Sequence, residues 1–216
     1  MSIRIILADD HTILRHGLSK SFQQEDDFKV IGQAKDGRST VELARELLPD
    51  VVVMDIAMPD LNGVEATRQI NMECPDVSVV GLSMHSSNKY VREMFRAGAK
   101  GYLLKDCPFE ELAQAVRTVV DGKTYVSPSV SQAVIEDYVS KPADRKSAFN
   151  VLSQREREVL QLLAEGKSTK QVARRLHISP KTVEAHRLRV MHKLEIDNLA
   201  LLTKYALQEG LTPHEL

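Results

Sequence analysis

The feature that most constrains this chain is a series of short, nearly uncharged apolar runs at a regular step. They are Ile3–Ala8, Phe28–Ile31, Val51–Met54, Val77–Leu82 and Gly101–Leu104, beginning about every 25 residues. That step leaves room in each unit for a strand, a loop, a helix and a second loop. Runs rich in Val, Ile and Leu without strict alternation suit strands buried on both faces, hence a parallel sheet covered by helices. The segments between them carry helical spacing. Val41, Ala44, Leu47 and Leu48 stop at Pro49, and Leu112, Ala115, Val116 and Val119 stop at Asp121-Gly122. The expectation for residues 1–126 is an α/β doubly wound domain with a five-stranded parallel sheet.

After residue 126 this rhythm ends. Ser127-Pro128 can open a helix to about Val139, and Ser140 to Asn150, polar and containing Pro142, reads as a linker. Residues 127–150 are therefore expected as helix and linker, and residues 151–216 as an all-α domain of four helices. Ser153 with Glu156 and Ser168 with Gln171 both have capping-box spacing, Ser179-Pro180 opens a third helix, and Asp197 can cap a fourth.

Charge divides the chain in the same way. Residues 1–146 hold 18 Lys/Arg and 22 Asp/Glu, whereas residues 147–216 hold 11 and 8. Between Lys167 and Lys193 there are eight basic residues and one acid, Glu184. A solvated helix face would mix both signs, so this excess points to a phosphate backbone. Two cysteines without C-x-x-C spacing, Cys74 and Cys107, suit a reducing cytoplasm. The longest uncharged runs are 12 residues, short of the ~20 that span a bilayer, and Asp9-Asp10 interrupts any apolar targeting stretch. Neither secretion nor membrane insertion is expected.

In an open parallel sheet, functional groups gather beyond the carboxyl ends of the strands, where the strand order reverses. The first run leads into Asp9-Asp10, the third into Asp55, the fourth into Ser83 and the fifth into Lys105. Each is ordinary alone: an Asp after a strand is usually a turn residue or helix cap. Separate turn chemistry does not explain why all of them share one edge. Oxygen-only ligands suit a hard cation such as Mg²⁺. A carboxylate beside it can attack phosphorus and form an acyl phosphate, while the cation and a lysine neutralise the phosphoryl oxygens.

In the second half, a helix from about Thr169 to Leu176, a turn at His177-Ile178 and a helix from Pro180 have helix-turn-helix spacing. On a helical wheel Val183, Val190 and Leu194 share the core side, and Lys181, Ala185, Leu188 and His192 lie opposite. Stray apolar surface residues are common. In a major groove, however, Ala185 and Leu188 can meet thymine methyls, and Glu184 can accept from cytosine. Lys181, Thr182, Arg187, Arg189 and Lys193 suit phosphate contacts, which position without specifying sequence. Arg187 lies near the core side, so its stem must pack while its head reaches out.

Residues 3–122 resemble the receiver domain of bacterial two-component response regulators, a flavodoxin-like fold. The resemblance is carried by Ala8-Asp9-Asp10-His11, the run from Val53 to Gly63, Leu82-Ser83, and the run from Gly98 to Lys105. It implies Asp55 as phospho-acceptor, with Asp10, Asp55 and the Ala57 carbonyl as Mg²⁺ ligands and Asp9 acting through water. It also implies Lys105 as partner of the phosphoryl oxygens, Ser83 as switch hydroxyl and Tyr102 as the aromatic that follows it. Residues 152–210 resemble the LuxR-type helix-turn-helix of the NarL–FixJ branch, through Leu152-Ser153-Gln154-Arg155-Glu156, Leu163-Ala164-Glu165-Gly166, Ile178 to Val183, His186 and Lys193-Leu194. The two resemblances imply a transcriptional regulator phosphorylated on Asp55 by a sensor histidine kinase, with phosphorylation controlling dimerisation and binding to double-stranded DNA. RNA polymerase is a candidate partner. No enzyme activity is expected beyond Mg²⁺-dependent phosphorylation and dephosphorylation of the chain's own aspartate.

Other classes fit less well. A haloacid-dehalogenase-type phosphatase needs a second Asp two residues after its nucleophile, where this chain has Ala57. Neither G-x-G-x-x-G nor G-x-x-x-x-G-K-[ST] occurs. The seven histidines show no H-x-x-x-H spacing, so metal catalysis through imidazole is not expected. A constitutive DNA-binding protein with a silent receiver is the remaining class, and the complete acidic set argues against it.

Overall fold

Each of the five apolar runs becomes a parallel strand, and a sixth strand that no run predicts joins them. The structure is a computed structural model and describes residues 2–84, 88–131 and 147–212. The chain divides into two compact units, residues 1–141 and 142–216. The first alternates β1 (Ile3–Ala8), α1 (Thr12–Gln23), β2 (Phe28–Ala34), α2 (Gly37–Leu47), β3 (Val51–Asp55), α3 (Gly63–Glu73), β4 (Ser78–Ser83), α4 (Asn88–Ala97), β5 (Gly101–Leu104), α5 (Phe109–Val120) and β6 (Tyr125–Val126). The strand order is β2-β1-β3-β4-β5-β6, parallel throughout. The order therefore reverses between β1 and β3, and the loops after those strands face one crevice.

The five-strand expectation is corrected by β6. Its two residues are too few to make an apolar run, and it is held by backbone pairing: Tyr125 N–H donates to Lys100 O (2.9 Å) and Ser127 N–H to Tyr102 O (3.1 Å). Ser127 Oγ donates to Glu111 on α5 at 2.6 Å. Residues 128–131 then form a helical turn. The rest of the helix expected to Val139, and residues 140–146 of the expected linker, lie outside the described residues.

Every residue of β3 is buried, as a strand with helices on both faces requires. On one face Ile5, Leu7, Val51, Val53, Val80 and Leu82 pack with Phe22 of α1 and with Leu112, Val116 and Val119 of α5. By strand alternation, the fully buried Ile6, Val52 and Met54 point the other way, where α2, α3 and α4 lie side by side. The start of α3 presses on the end of β3. Gly63 N–H donates to Ile56 O at 2.8 Å, and Asn62 Oδ1 caps α3 by accepting from Glu65 N–H at 3.0 Å.

The second unit is helical: α6 (Ala148–Val151), α7 (Gln154–Ala164), α8 (Thr169–Arg175), α9 (Pro180–Leu194) and α10 (Leu199–Glu209). Both expected capping boxes form, Ser153 with Glu156 and Ser168 with Gln171. Ser179 caps α9 with Pro180 in its first turn. Two details differ from expectation. The cap of α10 is Asn198, whose Oδ1 accepts from Leu201 N–H at 2.9 Å, and not Asp197. Ser147 to Asn150, read as the end of a linker, instead belong to the helical turn α6. The buried carboxylate of Glu209 accepts from Ser147 Oγ (2.9 Å) and Ala148 N–H (2.6 Å) and fixes that turn. Val159, Leu162, Leu163, Val172, Ala173, Leu176 and Val183 form a core shared by α7, α8 and α9 and the turn after α8. His177 makes that turn at φ 53°, in the left-handed region.

Candidate functional site

The β1–α1 loop and the end of β3 bring Asp9, Asp10 and Asp55 together, with ligand atoms of all three and of His11 within 4.8 Å of one another. Asp9 and Asp55 are buried, and the Asp10 side chain is 27% exposed. From the loop after β5, Lys105 extends its ammonium to 2.8 Å from Asp55 Oδ2 and 2.9 Å from Asp9 Oδ2. Its side chain is almost fully buried. Ala57 N–H donates to Asp55 Oδ1 at 3.3 Å. The geometry thus gathers the expected carboxylates and the lysine at the crevice.

Electrostatics here reflect a buried cluster with excess negative charge. Burial pushes the Asp55 carboxyl up to about 6; Lys105 opposes this, and the Asp9 and Asp10 charges add to it. Burial alone would lower Lys105, but Asp55 and Asp9 hold its pKa above the usual lysine range. Asp9 Oδ2 and Asp10 Oδ1 are buried, and their polar neighbours are the Lys105 ammonium and His11 Nδ1, each at 2.9 Å.

Ser83 ends β4, buried, and hydrogen-bonds Tyr102 of β5. Tyr102 has no exposed surface, and burial pushes its hydroxyl up to about 12. The aromatic is therefore already inside the fold beside Ser83.

Two residues at the crevice escaped sequence reasoning. His11 Nδ1 lies 2.9 Å from Asp10 Oδ1 and 3.1 Å from Asp9 Oδ1, and its backbone N–H donates to Asp9 Oδ1 at 2.8 Å. Arg15 donates to the Asp9 carbonyl. A search for paired histidines passes over His11 because its neighbours are carboxylates. The available signal was its position directly after Asp9-Asp10.

In the second unit, α9 buries Val183 and Val190 and exposes Lys181, Thr182, Leu188, Arg189 and Lys193, with Leu188 65% exposed. Glu184, Ala185 and Arg187 are half-buried. Four of these expected contacts are also engaged within the unit, Thr182 through a 2.8 Å bond between its hydroxyl and that of Ser179. Glu184 Oε1 accepts from Thr169 Oγ1 at 2.6 Å, and its other oxygen lies 3.6 Å from Arg187. Lys193 Nζ donates to the buried Glu156 at 2.7 Å, tying α9 to the start of α7. Burial would raise Glu156, but Lys193 and the Ser153 N–H hold it below the usual carboxylate range.

Comparison with known proteins adds to this geometry. The family described as response regulator receiver domain matches residues 5–117, and bacterial regulatory proteins of the luxR family match residues 150–206. The chain is 37% identical to the oxygen regulatory protein NreC of Staphylococcus carnosus, covering 97% of this chain and 99% of the relative. Among solved structures it is similar to the two-component response regulator RcsB in complex with DNA, at 26% identity and a TM-score of 0.61, covering 97% of this chain and 99% of that one. A structure of two RcsB dimers bound to two parallel DNAs matches at 26% identity and a TM-score of 0.60, with the same coverage. Among the described residues, no helix is long and apolar enough to cross a membrane.

Proposed function

Because the chain belongs to the NarL–FixJ branch of two-component response regulators, with a receiver and a LuxR-type DNA-binding domain, we propose that a sensor histidine kinase phosphorylates Asp55 and thereby controls dimerisation and DNA binding by residues 151–216. The observation that carries this reading is the Lys105 ammonium lodged between Asp55 and Asp9. It places a buried positive charge where an incoming phosphoryl group would bring more negative charge. Lys105 favours the ionised form of Asp55 against the effect of burial, and the ionised form is the nucleophile. Its oxygen attacks phosphorus as the bond from the kinase histidine to phosphorus breaks. Ser83 then supplies a hydroxyl for a phosphoryl oxygen, a change that its partner Tyr102 feels directly.

The donor set fits Mg²⁺. The carboxylates are oxygen ligands gathered within 4.8 Å of one another, more negative charge than one ammonium offsets, and the proposed ligands are Asp10, Asp55 and the Ala57 carbonyl, with Asp9 acting through water. When bound, the ion would neutralise charge on the carboxylates and on the phosphoryl oxygens. No other enzyme activity is proposed. The setting is the cytoplasm, and RNA polymerase is a candidate partner of the DNA-bound dimer.

The test is intact mass after incubation with Mg²⁺ and a small phosphodonor. Wild type should gain one phosphoryl group, and Asp55→Asn should gain none. An equal gain by both would refute the assignment.

For DNA, Lys181, Thr182, Arg187, Arg189 and Lys193 are proposed as backbone contacts, and Glu184, Ala185 and Leu188 as base contacts. Lys181→Ala or Arg189→Ala should weaken binding to all sequences and lower the salt slope by about one unit each. Leu188→Ala should instead change which sequences are preferred, by ~1–3 kcal/mol per lost base contact. Random-site selection separates the two classes: an unaltered preference in the Leu188 variant would rule out its groove position. Lys193→Ala is a poor probe, because it strands the buried Glu156.

A further inference from the structure

The proposed metal pocket contains one side chain that a pure Mg²⁺ site does not call for. His11 Nδ1 stands 2.9 Å from Asp10 Oδ1 and 3.1 Å from Asp9 Oδ1. Two ligands bound at right angles, each about 2.1 Å from one ion, lie about 3.0 Å apart. At 2.9 Å, His11 Nδ1 and Asp10 Oδ1 are thus close enough to serve one ion together, with Asp9 acting through water. In the metal-free chain the same spacing serves contacts to an imidazole N–H. The ring is 60% exposed, and its side chain makes no capping bond to α1, which starts at the next residue. His11 serves the helix through its backbone carbonyl, which accepts from Arg15 N–H at 3.0 Å, and not through the ring.

Imidazole discriminates between classes of ion. Mg²⁺ prefers oxygen and keeps its waters, whereas Mn²⁺, Co²⁺ and Zn²⁺ accept nitrogen readily. We propose that His11 is a further ligand of this pocket and shifts its selectivity from Mg²⁺ toward borderline divalent transition ions. The inference rests on the reading of Asp9, Asp10 and Asp55 as a cation site and adds to it a fourth side chain. These four form the one group of three or more potential metal-ligating side chains found among the described residues.

The test is calorimetric titration of the untagged full chain with Mg²⁺ and, separately, with Co²⁺. The visible d–d spectrum of Co²⁺ serves as a second readout. Removing a ligand should weaken Co²⁺ binding at least about tenfold. His11→Gln should therefore lower the Co²⁺ over Mg²⁺ preference by that factor and change the Co²⁺ spectrum. Asp10→Asn should weaken both ions, which checks that the pocket is being titrated. An unchanged Co²⁺ over Mg²⁺ ratio and spectrum in His11→Gln, with both ions still sensitive to Asp10→Asn, would overturn the role of His11 alone. If neither ion responded to Asp10→Asn, the cation site and this inference would fall together.

Discussion

Asp10→Ala is expected to abolish the stabilisation of the receiver by Mg²⁺ and to slow phosphorylation at sub-saturating Mg²⁺ at least about 100-fold, while raising the melting temperature of the metal-free protein. The two signs have one origin. Asp9, Asp10 and Asp55 crowd their oxygens into a region less than 5 Å across, and one buried ammonium, Lys105, bridges Asp9 and Asp55. Asp10 has His11 as its ion-pair neighbour. In the absence of a cation its charge repels the other two, so its removal relieves the fold. With the cation present, the same charge holds the ion. Wild type should gain about 2.7 kcal/mol of stability at a Mg²⁺ concentration 100-fold above Kd, and the variant nothing at that concentration. Thermal unfolding with and without Mg²⁺, beside a phosphorylation time course, measures both. Undiminished phosphorylation of the variant in excess chelator would dismiss Asp10 as a metal ligand.

Gly63→Ala should be among the most damaging conservative changes in the receiver, and it acts directly on the end of β3. A Cβ at this position would stand 2.0 Å from the carbonyl oxygen of Asp55 and 2.9 Å from Ile56 Cα. Both are backbone atoms, so no rotamer change relieves the overlap. Either α3 retreats and the 2.8 Å bond from Gly63 N–H to Ile56 O is lost, or the end of β3 moves and carries Asp55 with it. The expected cost is about 3 kcal/mol or more. Molecules that remain folded should phosphorylate more slowly, because the proposed nucleophile Asp55 has shifted. Gly17→Ala is the matched control. It lies within α1 with nothing within 4 Å of the added methyl, so it should stabilise by about 0.5–1 kcal/mol. Urea unfolding of the two variants should move in opposite directions; similar midpoints would show that the close approach of α3 to β3 is not a constraint.

What could be read from the sequence follows from the range of the interactions involved. Strands β1, β3 and β4 announce themselves because burial on both faces demands uninterrupted apolar runs. Asp9, Asp10, Asp55, Ser83 and Lys105 could be assembled in advance because each follows such a run, and parallel order puts all those ends on one edge. The caps Ser153, Ser168 and Ser179 were legible because their partners lie three residues on. The misses were interactions of long range or without side-chain pattern. Backbone ladder bonds and the distant Glu111 hold β6. Turn α6 depends on Glu209, 62 residues beyond Ser147. The Lys193–Glu156 pair spans 37 residues and makes a residue chosen for DNA contact part of the fold as well. His11 shows no H-x-x-x-H spacing because its neighbours at the crevice are carboxylates.

The measurement closest to the central claim is the equilibrium affinity of the full chain for a DNA site that it has itself selected from random sequence. It is made at fixed salt and Mg²⁺, with and without phosphodonor, for wild type and Asp55→Asn, with intact mass recording the phosphorylated fraction. Phosphorylated wild type should bind at least about tenfold more tightly, or 1.4 kcal/mol, and Asp55→Asn should not change. Equal affinity of fully phosphorylated and unphosphorylated wild type, or the same gain in Asp55→Asn, would contradict that claim.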